Sequence, residues 1–105
     1  AIKAAVPDLP VMLDGGVRRG TDVIKALALG ADFVFAGRPF LYAASIGGTG
    51  GVARAIALMA EELKRNMSLV GISRMSELNA GFVMPTDAAM RRTWSERAGE
   101  TPHRP

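Results

Sequence analysis

The sequence predicts an α/β fold in which strands and helices alternate in the order βαβα. Two short runs, Val11-Met12-Leu13 and Phe33-Val34-Phe35-Ala36, are apolar throughout and are bounded by proline or glycine. Runs of this kind are typical of strands buried on both faces of a parallel sheet. Because an amphipathic segment separates the two runs, we expect parallel strands joined by a right-handed crossover helix.

Proline, glycine and capping residues predict where each element begins and ends. Residues 2–6 should form the end of a helix that Pro7 and Pro10 stop. Thr21 is predicted to cap the crossover helix, because its hydroxyl can accept a backbone N–H. Gly30 is placed to end that helix in the left-handed conformation.

The crossover helix and the long helix that follows the second strand each carry a predicted apolar face. In the crossover helix it consists of Val23, Ile24, Leu27 and Ala28. After the second strand, a short helix should run from Pro39 to Ala44, followed by a glycine-rich joint and a long helix from about Gly51 to Val70. The apolar stripe of the long helix is Val52, Ile56, Met59, Leu63, Met67 and Val70. Its acidic pair, Glu61 and Glu62, is expected to form a solvated face.

Composition narrows the possible functions. Of 105 residues, 49% are hydrophobic and 22% charged, which indicates a globular chain, and no cysteine is present to form a disulfide or a thiolate site. The net charge is +3, and much of the basic excess lies in the last fifteen residues, so we expect no nucleic-acid partner. No signal peptide or membrane span is evident, which favours a cytoplasmic protein. The opening residues resemble a helix already under way, as in a piece of a longer chain.

Each predicted strand is followed by a turn that contains glycine and arginine. The residues are Asp14, Gly15, Gly16, Val17 and Arg18 in the first turn and Gly37 and Arg38 in the second. Because parallel strands end at the same edge of a sheet, and ligand sites collect at that edge in α/β folds, we expect the two turns to face one site.

The residue types in these turns suit a phosphate ester. Gly15 and Gly16 lack a Cβ, so their backbone N–H groups can approach an oxyanion closely. Arg18 and Arg38 offer planar donors that match phosphate oxygens, and the helix beginning at Pro39 would direct its positive end to the same place. Barrels of eight strands place a phosphate site after strands seven and eight, beside a short extra helix of this kind.

Each of these features also has a purely structural interpretation. A Gly-Gly turn can be only a turn, and an arginine can be a solvated charge, but two such turns in one unit favour phosphate. Asp14 is expected to hold its turn by accepting neighbouring N–H groups rather than to touch a ligand. Tyr42 and Trp94 are expected to pack, and His103 is expected to have no catalytic role.

At this point the sequence is similar to a known family. The run from Leu13 to Val23 resembles the FMN-dependent 2-hydroxy acid oxidases and dehydrogenases, which include glycolate oxidase, lactate oxidase, flavin-type lactate dehydrogenases and mandelate dehydrogenase. The similarity continues through Lys25–Asp32 and the run Gly37-Arg38-Pro39-Phe40. It covers residues 1–80, and the remaining residues 81–105 are expected to be an irregular, mobile tail.

The resemblance implies that this chain supplies the seventh and eighth strands of a (β/α)₈ (TIM) barrel, with their helices. Asp14, Gly15, Gly16, Val17, Arg18, Gly37 and Arg38 would then bind the phosphate of FMN, and no metal is implied. The family oxidises an L-2-hydroxy acid to a 2-oxo acid. Its proton-abstracting histidine lies in a His-Gly-x-Arg segment that does not occur here. We therefore expect no catalytic residue in this chain, inactivity without the remaining barrel strands, and a homo-oligomeric complete enzyme.

Two other interpretations stay open from the sequence. The chain could belong to another phosphate-binding barrel, similar to inosine monophosphate dehydrogenase or to the flavin-dependent isopentenyl diphosphate isomerase. It could also be a non-catalytic, half-barrel-like module that binds phosphate or nothing and associates through exposed strand edges.

Overall fold

The computed structural model describes residues 2–87, which contain three helices and two strands followed by two short 3₁₀ turns. The elements are α1 (Ile2–Ala5), β1 (Met12–Asp14), α2 (Gly20–Ala28), β2 (Phe33–Phe35), α3 (Arg38–Val70) and the 3₁₀ turns Met75–Glu77 and Ala80–Phe82. The order of strands and helices is the predicted one. Most of the predicted tail, with Trp94 and His103, lies outside the described residues.

The two strands form a parallel sheet. Met12 pairs with Phe33, and Asp14 pairs with Phe35, so both strands end level with each other. Just before the strands, the Asp32 backbone N–H donates to the Val11 carbonyl oxygen at 2.7 Å, and the Val11 N–H donates to the Asp32 carboxylate at 2.8 Å. The turns that follow β1 and β2 therefore leave the sheet side by side.

The strands are exposed in this chain, contrary to the expectation that they are buried. Met12 is 60% and Phe33 54% exposed to solvent. The reason is that each strand has one neighbour in the described residues, so one edge and much of both faces are uncovered. A parallel sheet needs cover on both faces, and this surface is the part of the fold that further strands and helices would bury.

Helix α2 forms most of the small core. Ile24, Ala26 and Ala28 are buried there, together with Val17 from the preceding turn. The helix begins at Gly20, so the prediction that Thr21 is its cap is wrong; Arg19 occupies that position. Gly30 follows the helix with a φ of 103°, and its N–H donates to the Leu27 carbonyl oxygen at 3.0 Å, as expected for a glycine that ends a helix.

Helix α3 consists of two helical segments that meet at a kink, as the glycine-rich joint in the sequence predicts. Gly47 and Gly48 have non-helical dihedral angles, and Gly48 has a φ of 53°. Gly51 lies one turn beyond the kink, where a Cβ atom would collide with the carbonyl oxygen of Ala43. The bend therefore brings the two segments of α3 into backbone contact, and Gly71 ends the helix with a φ of 76°.

By length and composition alone, α3 could cross a membrane. Two features of the helix argue against that. The kink leaves a first segment of residues 38–46, too short to span a bilayer, which takes about 20 residues. The second segment carries five charged residues, which are Arg54, Glu61, Glu62, Lys64 and Arg65. Charges at such density are costly in hydrocarbon.

Candidate functional site

The turns after β1 and β2 border an open cavity of about 510 Å³. All seven residues that the sequence predicts as phosphate-binding line it: Asp14, Gly15, Gly16, Val17, Arg18, Gly37 and Arg38. Phe35, Ala36, Pro39 and Tyr42 complete the wall. The parallel register is responsible, because it ends both strands at the same height, at the paired residues Asp14 and Phe35, and so places the two turns side by side.

The first turn has the backbone of an anion-binding loop. Gly15 has a φ of 102° and Gly16 a φ of 74°, in the region that favours glycine. A Cβ at either residue would meet no atom within 4 Å, so the space beside the turn is open. Successive backbone N–H groups in such turns form concavities that bind anions.

The second turn presents the positive end of α3 to the same cavity. Gly37 is the residue before the helix, it has no side chain to cap the first turn, and that turn contains no acidic residue. Pro39 has no N–H of its own, and its fixed φ suits the start of a helix. With the exposed side chains of Arg18 and Arg38 alongside, the cavity combines a helix N-terminus with two guanidinium groups.

The N-terminus of α2, by contrast, is already neutralised by carboxylates. The Asp22 carboxylate accepts the backbone N–H groups of Arg18 at 3.1 Å and Arg19 at 3.0 Å. Glu62, from α3, accepts the N–H of Gly20 at 2.8 Å. These donors are therefore unavailable to a ligand, whereas the start of α3 and the glycine turn have no such carboxylate partner in residues 2–87.

Glu62 makes contacts that the sequence analysis did not predict. It was expected on a solvated face, yet its carboxylate also accepts Arg19 Nε at 2.8 Å and forms an ion pair with that guanidinium. The guanidinium of Arg19 and the Gly20 N–H lower the pKa of Glu62, and the Arg18 and Arg19 N–H groups lower that of Asp22. A pair 43 residues apart leaves no local signal in one sequence.

These lowered pKa values predict a loss of stability in acid. A carboxylate whose pKa is depressed by folding stabilises the fold fully above its ordinary value, which is 3.8 for Asp22 and 4.5 for Glu62. The contribution is lost as the pH falls through the folded pKa. The free energy of unfolding, measured by urea titration of the complete protein, should therefore fall below about pH 5.

Asp22→Asn should flatten this acid dependence, whereas Asp8→Asn, at an exposed carboxylate, serves as the control. An unchanged slope in the Asp22 variant would contradict the assignment.

Two other residues of the cavity differ from expectation. Asp14 was expected to hold its turn, but within residues 2–87 its carboxylate accepts no hydrogen bond, so it faces the cavity unengaged. Tyr42 was expected to pack, yet it is 60% exposed on the cavity wall. Both side chains are thus accessible to a ligand. No cluster of three or more potential metal-binding side chains occurs in the described part of the chain.

Comparison with known proteins identifies the family. The model of the FMN-dependent dehydrogenase family matches residues 1–85. The chain belongs to this family. It is 44% identical over 92 residues to glycolate oxidase 3 from Oryza sativa subsp. indica, covering 88% of this chain and 25% of that protein. It is 48% identical over 73 residues to L-lactate oxidase from a Nostoc strain, covering 70% of this chain and 20% of the oxidase.

Solved structures of the FMN-dependent dehydrogenase family agree in fold. A mutant flavocytochrome b2 with benzoylformate superposes with a TM-score of 0.70 and 37% identity, over 99% of this chain and 28% of that one. The predicted family and its cofactor, FMN, are confirmed. The matches do not favour the two other phosphate-binding barrels. The chain spans about a quarter of the glycolate oxidase it matches.

The residues present fit the phosphate end of FMN. The cavity offers an open glycine turn, an uncapped helix terminus and two arginine side chains. Among residues 2–87, these two arginines are the basic side chains that line it, and Asp14 is the acidic one. A phosphate group carries up to two negative charges, which such a donor set can neutralise.

Proposed function

We propose that this chain is the carboxyl-terminal, FMN-phosphate-binding portion of an enzyme that oxidises an L-2-hydroxy acid to a 2-oxo acid. In this assignment β1 and β2 are the seventh and eighth strands of a (β/α)₈ barrel. Membership of the family supports the proposal, as does the fraction of each relative that the chain covers. The exposed faces of β1 and β2 are what a pair of strands removed from a closed barrel would show.

A single observation supports the phosphate assignment most strongly. Two turns that end parallel neighbouring strands bring Arg18, Arg38 and the glycine pair to one cavity. Phosphate sites in eight-stranded barrels lie at this end, after the last two strands. The side chains of Asp14 and Tyr42 form no hydrogen bond within residues 2–87. They would then contact the part of the cofactor next to its phosphate.

The chain orients the cofactor and contributes little to the reaction itself. FMN, when bound, accepts the two electrons and the proton equivalent that leave the hydroxy acid. The accompanying base needs a side chain able to take a proton near neutral pH, and residues 2–87 contain no histidine. In the family that this sequence resembles, a histidine of a His-Gly-x-Arg segment takes that proton, and no such segment occurs here. The base would therefore come from another part of the complete enzyme, and this chain alone should be inactive.

The complete protein should be yellow as purified, and an L-2-hydroxy acid should bleach its flavin absorbance under anaerobic conditions. The D-enantiomer of the same acid is the matched control, because it presents the same groups with the transferable hydrogen on the other face. Bleaching is read directly in a spectrophotometer cell. A colourless protein, or a flavin that no L-2-hydroxy acid reduces, would contradict the proposed function.

The competing assignment is a non-catalytic module. A colourless oligomer of this chain that shows no turnover would support it. Membership of the FMN-dependent dehydrogenase family supports the enzyme assignment over the module. The homo-oligomeric state and the cytoplasmic location stay predictions, the first of them open to measurement by light scattering.

A further inference from the structure

Glu62 joins the middle of α3 to the start of α2 through three contacts. Its carboxylate accepts Arg19 Nε and the Gly20 backbone N–H, both at 2.8 Å, and it is ion-paired with the Arg19 guanidinium. The side chain of Glu62 is 24% exposed, so these contacts are partly shielded from water. Partly shielded, charge-assisted hydrogen bonds are stronger than exposed ones.

The backbones of α2 and α3 also pack closely where Gly20 meets Glu62 and Leu63. A Cβ on Gly20 would lie 2.8 Å from the Glu62 Cβ and 2.9 Å from the Leu63 backbone nitrogen. Only glycine allows the two helices this approach. The start of α2 is thus fixed in position relative to α3 by packing and by the Glu62 carboxylate together.

This junction is continuous with the cavity. Arg18 directly precedes Arg19 and Gly20 in the chain. Its backbone N–H donates to the Asp22 carboxylate at 3.1 Å. Asp22 and Glu62 together therefore bind the backbone N–H groups of residues 18–20. Because three consecutive N–H groups are held, the direction of the Arg18 side chain is fixed by the backbone at this point. Glu62 contributes to this from outside the cavity, since it does not line it.

We propose that Glu62 is a positioning residue that aligns Arg18 with the FMN phosphate, acting through Arg19 and Gly20. The inference rests on the proposed function, since it assumes that the cavity holds that phosphate. Misplacing a binding group by about 1 Å can reduce its effect a hundredfold. The Glu62 carboxylate is well placed to prevent such a displacement.

The test compares FMN with riboflavin, which lacks the phosphate, as ligands of the complete apoprotein. Glu62→Gln keeps the size of the side chain but removes its charge, and should weaken FMN binding about tenfold. Riboflavin binding should not change, because it makes no use of Arg18. Glu61→Gln is the matched control, since Glu61 is the exposed neighbour on the same helix. Dissociation constants come from quenching of flavin fluorescence.

The outcomes separate this inference from the proposed function. Equal weakening of both ligands, or no change in either, would overturn the positioning role. If Glu62→Gln does not fold, Arg19→Gln breaks the ion pair but keeps the hydrogen bond from the Gly20 N–H to Glu62. This variant should still weaken the binding of FMN and not that of riboflavin. If it does not, the inference is overturned. If Arg38→Ala leaves FMN binding unchanged, the phosphate assignment itself fails, whatever Glu62 does.

Discussion

Arg38→Ala should raise the dissociation constant of FMN about a hundredfold in the complete protein, which corresponds to about 3 kcal/mol. Arg38 is the first residue of α3 and lines the cavity beside Gly37. Its side chain brings a full positive charge and a planar set of donors to the place where the helix already favours an anion. Removing it leaves the phosphate with Arg18 and backbone donors alone.

The measurement is the flavin content after gel filtration, followed by fluorescence titration of the apoprotein with FMN. Arg54→Ala is the control, because Arg54 is an exposed arginine of the same helix that does not line the cavity. Riboflavin should bind both variants as it binds the parent protein. Full flavin content in the Arg38 variant would show that the phosphate lies elsewhere.

Gly51→Ala should destabilise the protein by about 3 kcal/mol, at the upper end of the usual effect of overpacking. The added methyl group would collide with the carbonyl oxygen of Ala43. That oxygen belongs to the backbone, so the strain cannot be relieved by rotating a side chain. The two segments of α3 would have to separate at the kink.

Gly50→Ala provides a control at the adjacent residue. A Cβ on Gly50 meets no atom within 4 Å, and alanine is favoured over glycine in a helix by up to about 1 kcal/mol. The midpoint of thermal unfolding should therefore fall for Gly51→Ala and stay level or rise for Gly50→Ala. Similar midpoints for the two variants would mean that the contact with Ala43 is not needed.

The sequence predicts the two strands and the two turns that line the cavity because their signals are local. Apolar runs bounded by proline and glycine mark β1 and β2, and glycine with arginine after each strand marks the two turns. Parallel pairing then brings the two turns together. The position of the cavity therefore follows once the two strands are predicted to be parallel neighbours.

What the sequence does not predict depends on contacts between distant residues. Thr21 is a good cap by its chemistry, but Asp22 and Glu62 bind the N–H groups instead, and the cap lies two residues earlier, at Arg19. The exposure of Met12 and Phe33 likewise cannot be seen in their apolarity, because burial depends on which other elements are present. The kink of α3 was anticipated as a joint, but not the contact between Gly51 and Ala43.

The uncovered sheet described above has a consequence for how such a chain behaves in a cell. A short, apolar, parallel strand with a free edge is a template onto which any extended polypeptide can add. If ribosomes delivered this segment by itself, chaperones and proteases would compete with self-association for that edge. In a closed barrel, a neighbouring strand would pair with this edge and so remove the template.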